Sequence, residues 1–99
     1  QPLRLALPVA ATGRFKLLAQ MTRDHRYGIV QLSLDGKKIG EPIDLYSEKV
    51  VPTGELNFGT HELTAGEHKL SVEMIGSNPK ASRKFNMFGL DYVKLEPVQ

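Results

Sequence analysis

The feature that most constrains the fold of this chain is the pair Asp35-Gly36, which separates two segments of alternating polarity. Before the pair, Val30, Leu32 and Leu34 alternate with polar residues, which is the period-2 pattern of a half-buried strand. Asp-Gly suits a two-residue type I′ turn, because both central residues need positive φ and glycine adopts it without strain. The stretch YGIVQLSLDGKKIGEPIDLY therefore predicts a β-hairpin.

The same alternation recurs along the chain, with turn residues at intervals of about 8–12 residues. It predicts six strands and one or two less regular ones, and it shows no helical stripe of useful length. Clear examples are Leu3 to Pro8, Phe15 to Met21, Leu70 to Met74 and Met87 to Glu96. We interpret residues 1–99 as a single all-β module, an antiparallel β-sandwich of the jelly-roll kind. Because its first residues are already strand-like, we expect it to be part of a larger protein.

Three segments of the chain depart from regular alternation, and each carries its own structural prediction. Pro42 has no N–H to donate, so Gly40-Glu41-Pro42 predicts a bulge or an edge where the chain changes sheets. The segment 47–55 lacks periodicity, and we expect an irregular loop there that closes with a turn over residues 52–54. The last strand is apolar in part on both faces, which predicts a central position in its sheet.

Composition excludes several classes of function. The chain carries 13 Lys+Arg against 11 Asp+Glu, a net charge of only +2, and its basic segments 23–26 and 80–84 are short. We interpret both segments as solvated loops and expect no nucleic-acid partner. No run of about 18 apolar residues exists, so we expect no membrane partner. The chain has no cysteine, which excludes disulfides and cysteine-based metal sites.

Patterns typical of catalysis are absent from the sequence. The three histidines have no mutual spacing of the kind metal ligands show, and there is no Gly-x-Ser-x-Gly elbow. Glycoside hydrolysis needs two convergent carboxylates, and nothing singles out a pair among the 11 acids. We therefore expect a non-enzymatic module, with a small enzyme as a minor alternative that requires such a pair.

Sugar binding has simpler requirements, which the predicted loops meet. It needs an aromatic face for a pyranose ring, with polar or charged side chains for the hydroxyl groups. The candidate residues are Tyr27, Asp44, Tyr46, Asn78, Lys80 and Arg83. Tyr27 could equally be an inter-sheet core residue, and Asn78-Pro79 could be turn chemistry alone. Both roles are open for Tyr46, because it ends a strand beside an irregular loop.

Asp91 is an acid within the last predicted strand, between Leu90 and Tyr92. A carboxylate in such a position needs partners. Two readings are open, namely backbone hydrogen bonds at the end of the sandwich or coordination of a cation such as calcium, which prefers six to eight oxygen ligands.

Three stretches of the chain together resemble a known group of modules. They are YGIVQLSLDGKKIGEPIDLY, VVPTGELNFGTHELTAGEHKLSVEMIGSNPK and MFGLDYVKLEP. They resemble the galactose-binding-domain-like β-sandwich modules of bacterial carbohydrate-active enzymes, especially the C-terminal modules of glycoside-hydrolase family 172-like proteins. The order of a GEHKLSVE strand, a loop and a final GLDYVKLEP strand is similar to family-6-type carbohydrate-binding modules. The resemblance extends from about Gly13 to Pro97.

This resemblance implies a ligand at the loop end of a jelly roll or on a concave sheet face. By position, Tyr27, Tyr46 and Asn78 would stack on and hydrogen-bond the sugar, and Asp91 would match an acid of a structural calcium site. The implied partners are a polysaccharide or oligosaccharide and a parent catalytic domain in the same chain. The implied location is extracellular or periplasmic.

Two functions from different classes follow. The first is a non-catalytic carbohydrate-binding module that tethers a parent carbohydrate-active enzyme to a polysaccharide. The alternative is a structural or assembly module that packs on a catalytic domain or mediates oligomerisation and binds no sugar. The alternative draws on the absence of tryptophan and on Leu18, Val50 and Val51, which could form an apolar interface patch.

Overall fold

The computed structural model describes residues 2–81 and 88–99, and within these ranges the chain forms seven β-strands in two antiparallel sheets. The strands are β1 Leu3–Val9, β2 Gly13–Arg23, β3 Ile29–Leu34, β4 Lys37–Asp44, β5 Val51–Leu63, β6 Gly66–Gly76 and β7 Gly89–Val98. One sheet has the order β1-β6-β3-β4 and the other β5-β2-β7. This confirms the predicted antiparallel β-sandwich. In the described ranges no helix is long and apolar enough to cross a membrane.

The core lies between the two sheets and takes side chains from both. Leu17 and Met21 of β2 and Leu32 and Leu70 of the opposite sheet are fully buried, as is Leu45 just after β4. Alternation in β2 places Leu17, Ala19 and Met21 on one face, as the sequence predicts. Burial of a side chain of this size contributes about 1.5–3 kcal/mol, so this inner face orients both sheets.

The β3–β4 hairpin confirms the predicted type I′ turn. Asp35 and Gly36 have φ values of 50° and 87°, which are the two positive values that this turn requires. The Asp35 carboxylate accepts the backbone N–H of Lys69 at 2.9 Å and contacts Nδ1 of His68 at 2.6 Å. The turn is thus tied to β6 as well as closed on itself.

The predicted bulge at Gly40-Glu41-Pro42 is also confirmed. The register passes from Val30–Ile43 to Leu32–Ile39, so three residues of β4 stand opposite the single residue Gln31. Gln31 is buried, and its Nε2 donates to the carbonyl of Ile39 at 3.1 Å, which satisfies polar groups that the ladder leaves unpaired. Among the described strands β4 is outermost in its sheet, and the chain changes sheets after β4, not at the bulge.

The expected loop over residues 47–55 is wrong in its second half. β5 already begins at Val51, and the supposed turn at 52–54 lies inside this strand. Its irregularity is a bulge, because Gln20 pairs with Glu55 and Thr22 with Pro52, which leaves two residues opposite Met21. One of these, Thr53, accepts the Met21 N–H through its Oγ1 at 3.1 Å.

The expected central position of the last strand is also wrong. Among the described strands, β7 lies at the edge of its sheet beside β2. Gln20 pairs with Tyr92 but Met21 pairs with Leu90, so Asp91 is an extra residue that shifts the alternation. Leu90 and Val93 both pack on the core for this reason. The sequence shows apolar residues on both faces of β7 because the bulge at Asp91 shifts, by one position, which residues point toward the core.

Candidate functional site

Three chain segments converge at the end of the sandwich where β3 begins and β4 and β6 end. We call this the loop end and define it by residues 24–28, 44–47 and 77–81. The opposite end, which we call the turn end, carries the Asp35-Gly36 turn. Backbone hydrogen bonds hold the first two segments together, from Leu45 N–H to the Gly28 carbonyl and from Asp24 N–H to the Leu45 carbonyl, each at 3.0 Å.

Asp44 and Asn78 form the polar centre of the loop end. Asn78 Nδ2 donates to Asp44 Oδ2 at 2.7 Å, and the Tyr46 backbone N–H donates to Asp44 Oδ1 at 2.9 Å. Arg23 Nε reaches the Asp44 carbonyl at 3.4 Å. Asp44 is exposed, and an ionised carboxylate has about four lone-pair sites, so capacity for ligand hydroxyls is left.

The segment that carries Asn78 is shaped by its own side chain. Asn78 Oδ1 accepts the Lys80 backbone N–H at 2.8 Å, and its carbonyl accepts the Ala81 N–H at 3.0 Å. This is the Asn-Pro turn chemistry that the sequence indicates. The turn and the Asp44 contact coexist because the first uses the amide oxygen and the second the amide nitrogen. Lys80 is exposed beside this turn.

Asp24 is the residue that organises the loop end, and sequence reasoning missed it. Its side chain is 2 % exposed, and its Oδ1 and Oδ2 accept Nε and one terminal nitrogen of Arg26, each at 3.0 Å. The interpretation of residues 23–26 as a merely solvated loop is therefore wrong at Asp24. Its backbone carbonyl accepts N–H groups of Tyr27 at 3.2 Å and Ser47 at 3.3 Å.

Electrostatics fix the ionisation of this residue. The Arg26 guanidinium, through its side-chain hydrogen bonds to the carboxylate, lowers the pKa of Asp24 from 3.8 to about 2. The Arg26 backbone N–H adds a further bond to Oδ1 at 2.9 Å. An acid followed two residues later by arginine, directly after a strand, is the only sequence signal that could have pointed to it.

The two candidate tyrosines are both half-buried at the loop end. The Tyr27 ring packs against the core and lies so close to Gly89 that an added Cβ there would meet its Cε2 at 3.1 Å. Tyr27 thus serves inter-sheet packing with at least part of its ring. Tyr46 forms an isolated backbone bridge to Asp24, and it follows Asp44 by two positions in the chain.

Two candidates remain, of which only Asp91 belongs to the described residues. Arg83 lies outside the described residues. Asp91 stands on the outer face of the three-stranded sheet, where it accepts the Thr22 hydroxyl at 3.0 Å and Gln20 Nε2 at 3.4 Å. Among the described residues no group of three or more His, Asp or Glu side chains is placed to hold a metal ion. Calcium at Asp91 stays a prediction.

Comparisons with known proteins bear on the fold. No protein-family model matches the chain, and no curated protein matches it. Among solved structures, a Paenibacillus xanthan lyase is similar at a TM-score of 0.79 and 23 % identity over 98 % of this chain. The C-terminal domain of EclA, described as a sugar-binding protein, gives 0.60 and 23 % over 95 %. A Podospora anserina GH26-CBM35 β-(1,4)-mannanase gives 0.59 and 12 % over 99 %.

The matches span only part of these larger proteins. This chain covers 9 % of the xanthan lyase, 65 % of the EclA protein and 19 % of the Podospora mannanase. At these identities the similarity concerns the fold, which is that of modules occurring in carbohydrate-active and sugar-binding proteins.

Proposed function

We propose that the chain is a non-catalytic carbohydrate-binding module whose site is the loop end. The observation that carries this proposal is the direct hydrogen bond between Asp44 and Asn78, two candidates 34 positions apart in the sequence. To this carboxylate and amide we add the aromatic ring of Tyr46, which follows Asp44 by two positions in the chain. These are the groups that hydrogen-bond sugar hydroxyls and stack on a pyranose face.

The site suits binding better than catalysis. The Asp44 carboxylate accepts hydrogen bonds from a neutral amide and a backbone N–H, so it is held as a hydrogen-bond acceptor. One shallow site with few aromatic rings gains little beyond the cost of ordering the ligand, so affinity for a single sugar is weak. Weak binding suffices for a module that acts by keeping an attached enzyme near a polymer.

We further infer that the module tethers a parent carbohydrate-active enzyme to a polysaccharide outside the cytoplasm. Support comes from the structural neighbours, in which the similar region is 9 % of a xanthan lyase and 19 % of a mannanase. The glycoside-hydrolase family 172-like resemblance, a bacterial origin, and an extracellular or periplasmic location belong to this proposal. So does a structural calcium ion at Asp91.

The alternative, an assembly module without sugar binding, has one supporting observation. Val50 is 68 % exposed and Val51 37 %, and they lie side by side just before and at the start of β5. Leu18, the third residue of the suggested patch, is 6 % exposed and is therefore not available to a partner. The remaining patch is small for a stable interface, which buries about 800 Å² on each partner.

A glycan screen of the protein tests the proposal. It compares plant, algal and host polysaccharides in affinity gels, each with added calcium and with a chelator. Retardation that a simple sugar reverses supports the carbohydrate-binding module, and loss of retardation with chelator supports calcium. Absence of retardation on every glycan, together with concentration-dependent dimerisation in light scattering, would replace the proposal by the assembly module.

A further inference from the structure

A cleft lies at the turn end, away from the loop end, between the open edges of the two sheets. Its volume is about 580 Å³, within the range of small-ligand sites. One wall is the β3–β4 hairpin and the other is the end of β5. The lining residues are Leu34, Asp35, Lys37, Lys38, Ile39, Thr60, His61, Glu62 and Leu63.

The cleft exists because the two edge strands touch at one point and then diverge. At Gly40 the contact is tight, since an added Cβ would lie 3.0 Å from Cδ1 of the buried Phe58. Beyond it, a bulge in β5 leaves Phe58 and Gly59 opposite Leu17. Gly59 takes up this bulge with a φ of 95°, and Asn57 Oδ1 accepts its N–H at 2.8 Å.

The bulge sets which β5 side chains face the cleft. His61 pairs with Phe15, whose ring packs against the core, and directly opposed residues share a face of the sheet. On the other wall, Lys37 pairs with the buried Leu34 in the same way. Lys37 and His61 are therefore both on the inner sides of their strands, at the open edge of the sandwich.

The walls combine an apolar base with cationic and hydrogen-bonding groups. Leu34, Ile39 and Leu63 are buried in the core beneath the cleft. Within the part of the chain that the structure describes, Lys37 forms no ion pair. The Lys37 charge is therefore free to meet an anion, whereas Lys38 pairs in register with Ser33 and lies on the outer side of β4.

His61 and the two acids of the lining have defined partners. His61 Nε2 lies 2.9 Å from the Phe58 carbonyl, and because a carbonyl oxygen can only accept, Nε2 donates in this hydrogen bond. The charge of Asp35 is offset by its ion pair with His68 at 2.6 Å. Glu62 pairs in register with Arg14 and so is on the outer side of β5. The balance at the cleft therefore favours an anion.

We propose that this turn-end cleft is a second binding site, for an anionic sugar residue that carries a carboxylate or a sulfate ester. The apolar base suits one face of a pyranose ring, and Lys37 suits the anionic group. That the ligand is a sugar rests on the proposed function, whereas the anion preference rests on the cleft alone. Occupation of both ends by one polysaccharide would raise its apparent affinity without a new contact at the loop end.

The edges of the cleft disfavour an extended acidic peptide as the occupant. Strand addition needs a run of unpaired backbone N–H and C=O groups along an edge. In β4 this run is interrupted by the bulge and by Pro42, and in β5 by the bulge at Phe58 and Gly59. The His61 ring already uses the Phe58 carbonyl. A compact ligand fits this surface better than a strand.

The test is a titration of the ¹⁵N-labelled protein, followed by amide chemical shifts. The probes are trigalacturonic acid, its uncharged methyl ester, glucose 6-sulfate and a hexamer of glutamate. We expect the anionic sugars to shift amides of residues 37–39 and 60–63, and the ester to leave them in place. Lys37→Gln should weaken this binding roughly fivefold, the size of one exposed charge contact. Lys49→Gln, the same change on another exposed lysine, should have no effect.

The outcomes separate this site from the loop end. Tyr46→Ala should remove binding of neutral glycans and leave the turn-end shifts unchanged. Turn-end shifts in a protein that binds no neutral glycan would uphold the cleft and refute the proposed loop-end site. Four results would each overturn the cleft proposal. They are shifts confined to the loop end, equal responses to the acid and its ester, equal effects of the two lysine variants, and an equal response to the glutamate hexamer.

Discussion

Asn78 Nδ2 donates to Asp44 Oδ2 across 2.7 Å and thereby joins the loop that follows β6 to the end of β4. Neither residue belongs to the core, and the bond joins the last residue of a strand to a loop. It matters because it holds two sugar-binding candidates in one arrangement before a ligand arrives, which reduces the entropy lost on binding.

Asn78→Asp tests this relationship directly. The variant places two carboxylates where an amide now meets a carboxylate, and like charges this close resist joint ionisation. We expect glycan affinity to fall about tenfold near neutral pH and to recover partly as acidification protonates one of the pair. Isothermal titration at two pH values measures this change. Asn78→Ala, which adds no charge, should weaken binding without the pH dependence, and a shared pH profile would contradict the explanation.

Tyr46→Ala should abolish glycan binding and leave the fold intact. Tyr46 is half-buried, and its link to Asp24 is a backbone bridge that alanine retains. Affinity gels measure binding, and circular dichroism on heating measures the fold. Tyr92→Ala is the matched control, because Tyr92 is 41 % exposed on another surface, where its hydroxyl donates to Glu55 at 2.7 Å. Unfolding of the Tyr46 variant would show instead that this ring belongs to the core.

Asp24→Asn should lower Tm near neutral pH, because the buried acceptor of the Arg26 guanidinium loses its charge. The pKa of Asp24 is lowered from 3.8 to about 2, so its contribution to stability is complete above 3.8 and is lost as the pH falls through about 2. The Tm difference between wild type and variant should therefore be constant at higher pH and vanish across this interval. A difference that persists in strong acid would assign the effect to packing alone.

His68 gives stability with the opposite pH dependence. Both ring nitrogens face acceptors, the Asp35 carboxylate at 2.6 Å and the Thr64 carbonyl at 2.7 Å, so the imidazolium satisfies both. The Asp35 carboxylate is the main reason that the pKa of His68 is raised above 6.5. This contribution is complete below 6.5 and is lost as the pH rises through the folded-state pKa.

His68→Gln should remove this dependence. Thermal melts of wild type and variant across neutral to alkaline pH should converge as the wild-type imidazolium loses its proton. Asp35, the partner of His68, has a pH dependence in acid. The His68 hydrogen bond lowers the pKa of Asp35 below 3.8, so the contribution of Asp35 to stability is lost as the pH falls through the lowered pKa. Curves that stay parallel up to high pH would show that His68 is held by its shape and not its charge.

Gly28→Ala should destabilise the protein by about 1–3 kcal/mol, the usual cost of overpacking. A Cβ at Gly28 would contact Met74 Cε and would lie 2.7 Å from the carbonyl oxygen of Gly76. The Met74 side chain can move, but the backbone carbonyl cannot, so the loop end must shift. Urea denaturation measures the loss. Gly13→Ala is the control, because its Cβ would make an ordinary contact of 3.6 Å with Phe15, and an equal loss there would refute the argument.

The alternation of side chains along the chain determined the strands, the inner face of β2 and the Asp35-Gly36 turn. These features depend on neighbours within a few positions, so the sequence alone predicts them. It also supplied Asp44, Tyr46 and Asn78 as residues of the right chemistry in or beside the predicted loops, although not the bond that joins Asp44 to Asn78.

Tertiary structure decided what depends on a partner strand. The bulge at Asp91 and the bulge in β5 opposite Met21 exist because β2 fixes the register on both sides, and alternation alone reads them as a central strand and as a turn. Asp24 looks like one more polar loop residue until the Leu45 backbone and the Arg26 guanidinium enclose it. Local pattern therefore decides which residues form strands, whereas contacts between distant segments decide the register of the strands, the burial of charge and the geometry of the loop end and of the turn-end cleft.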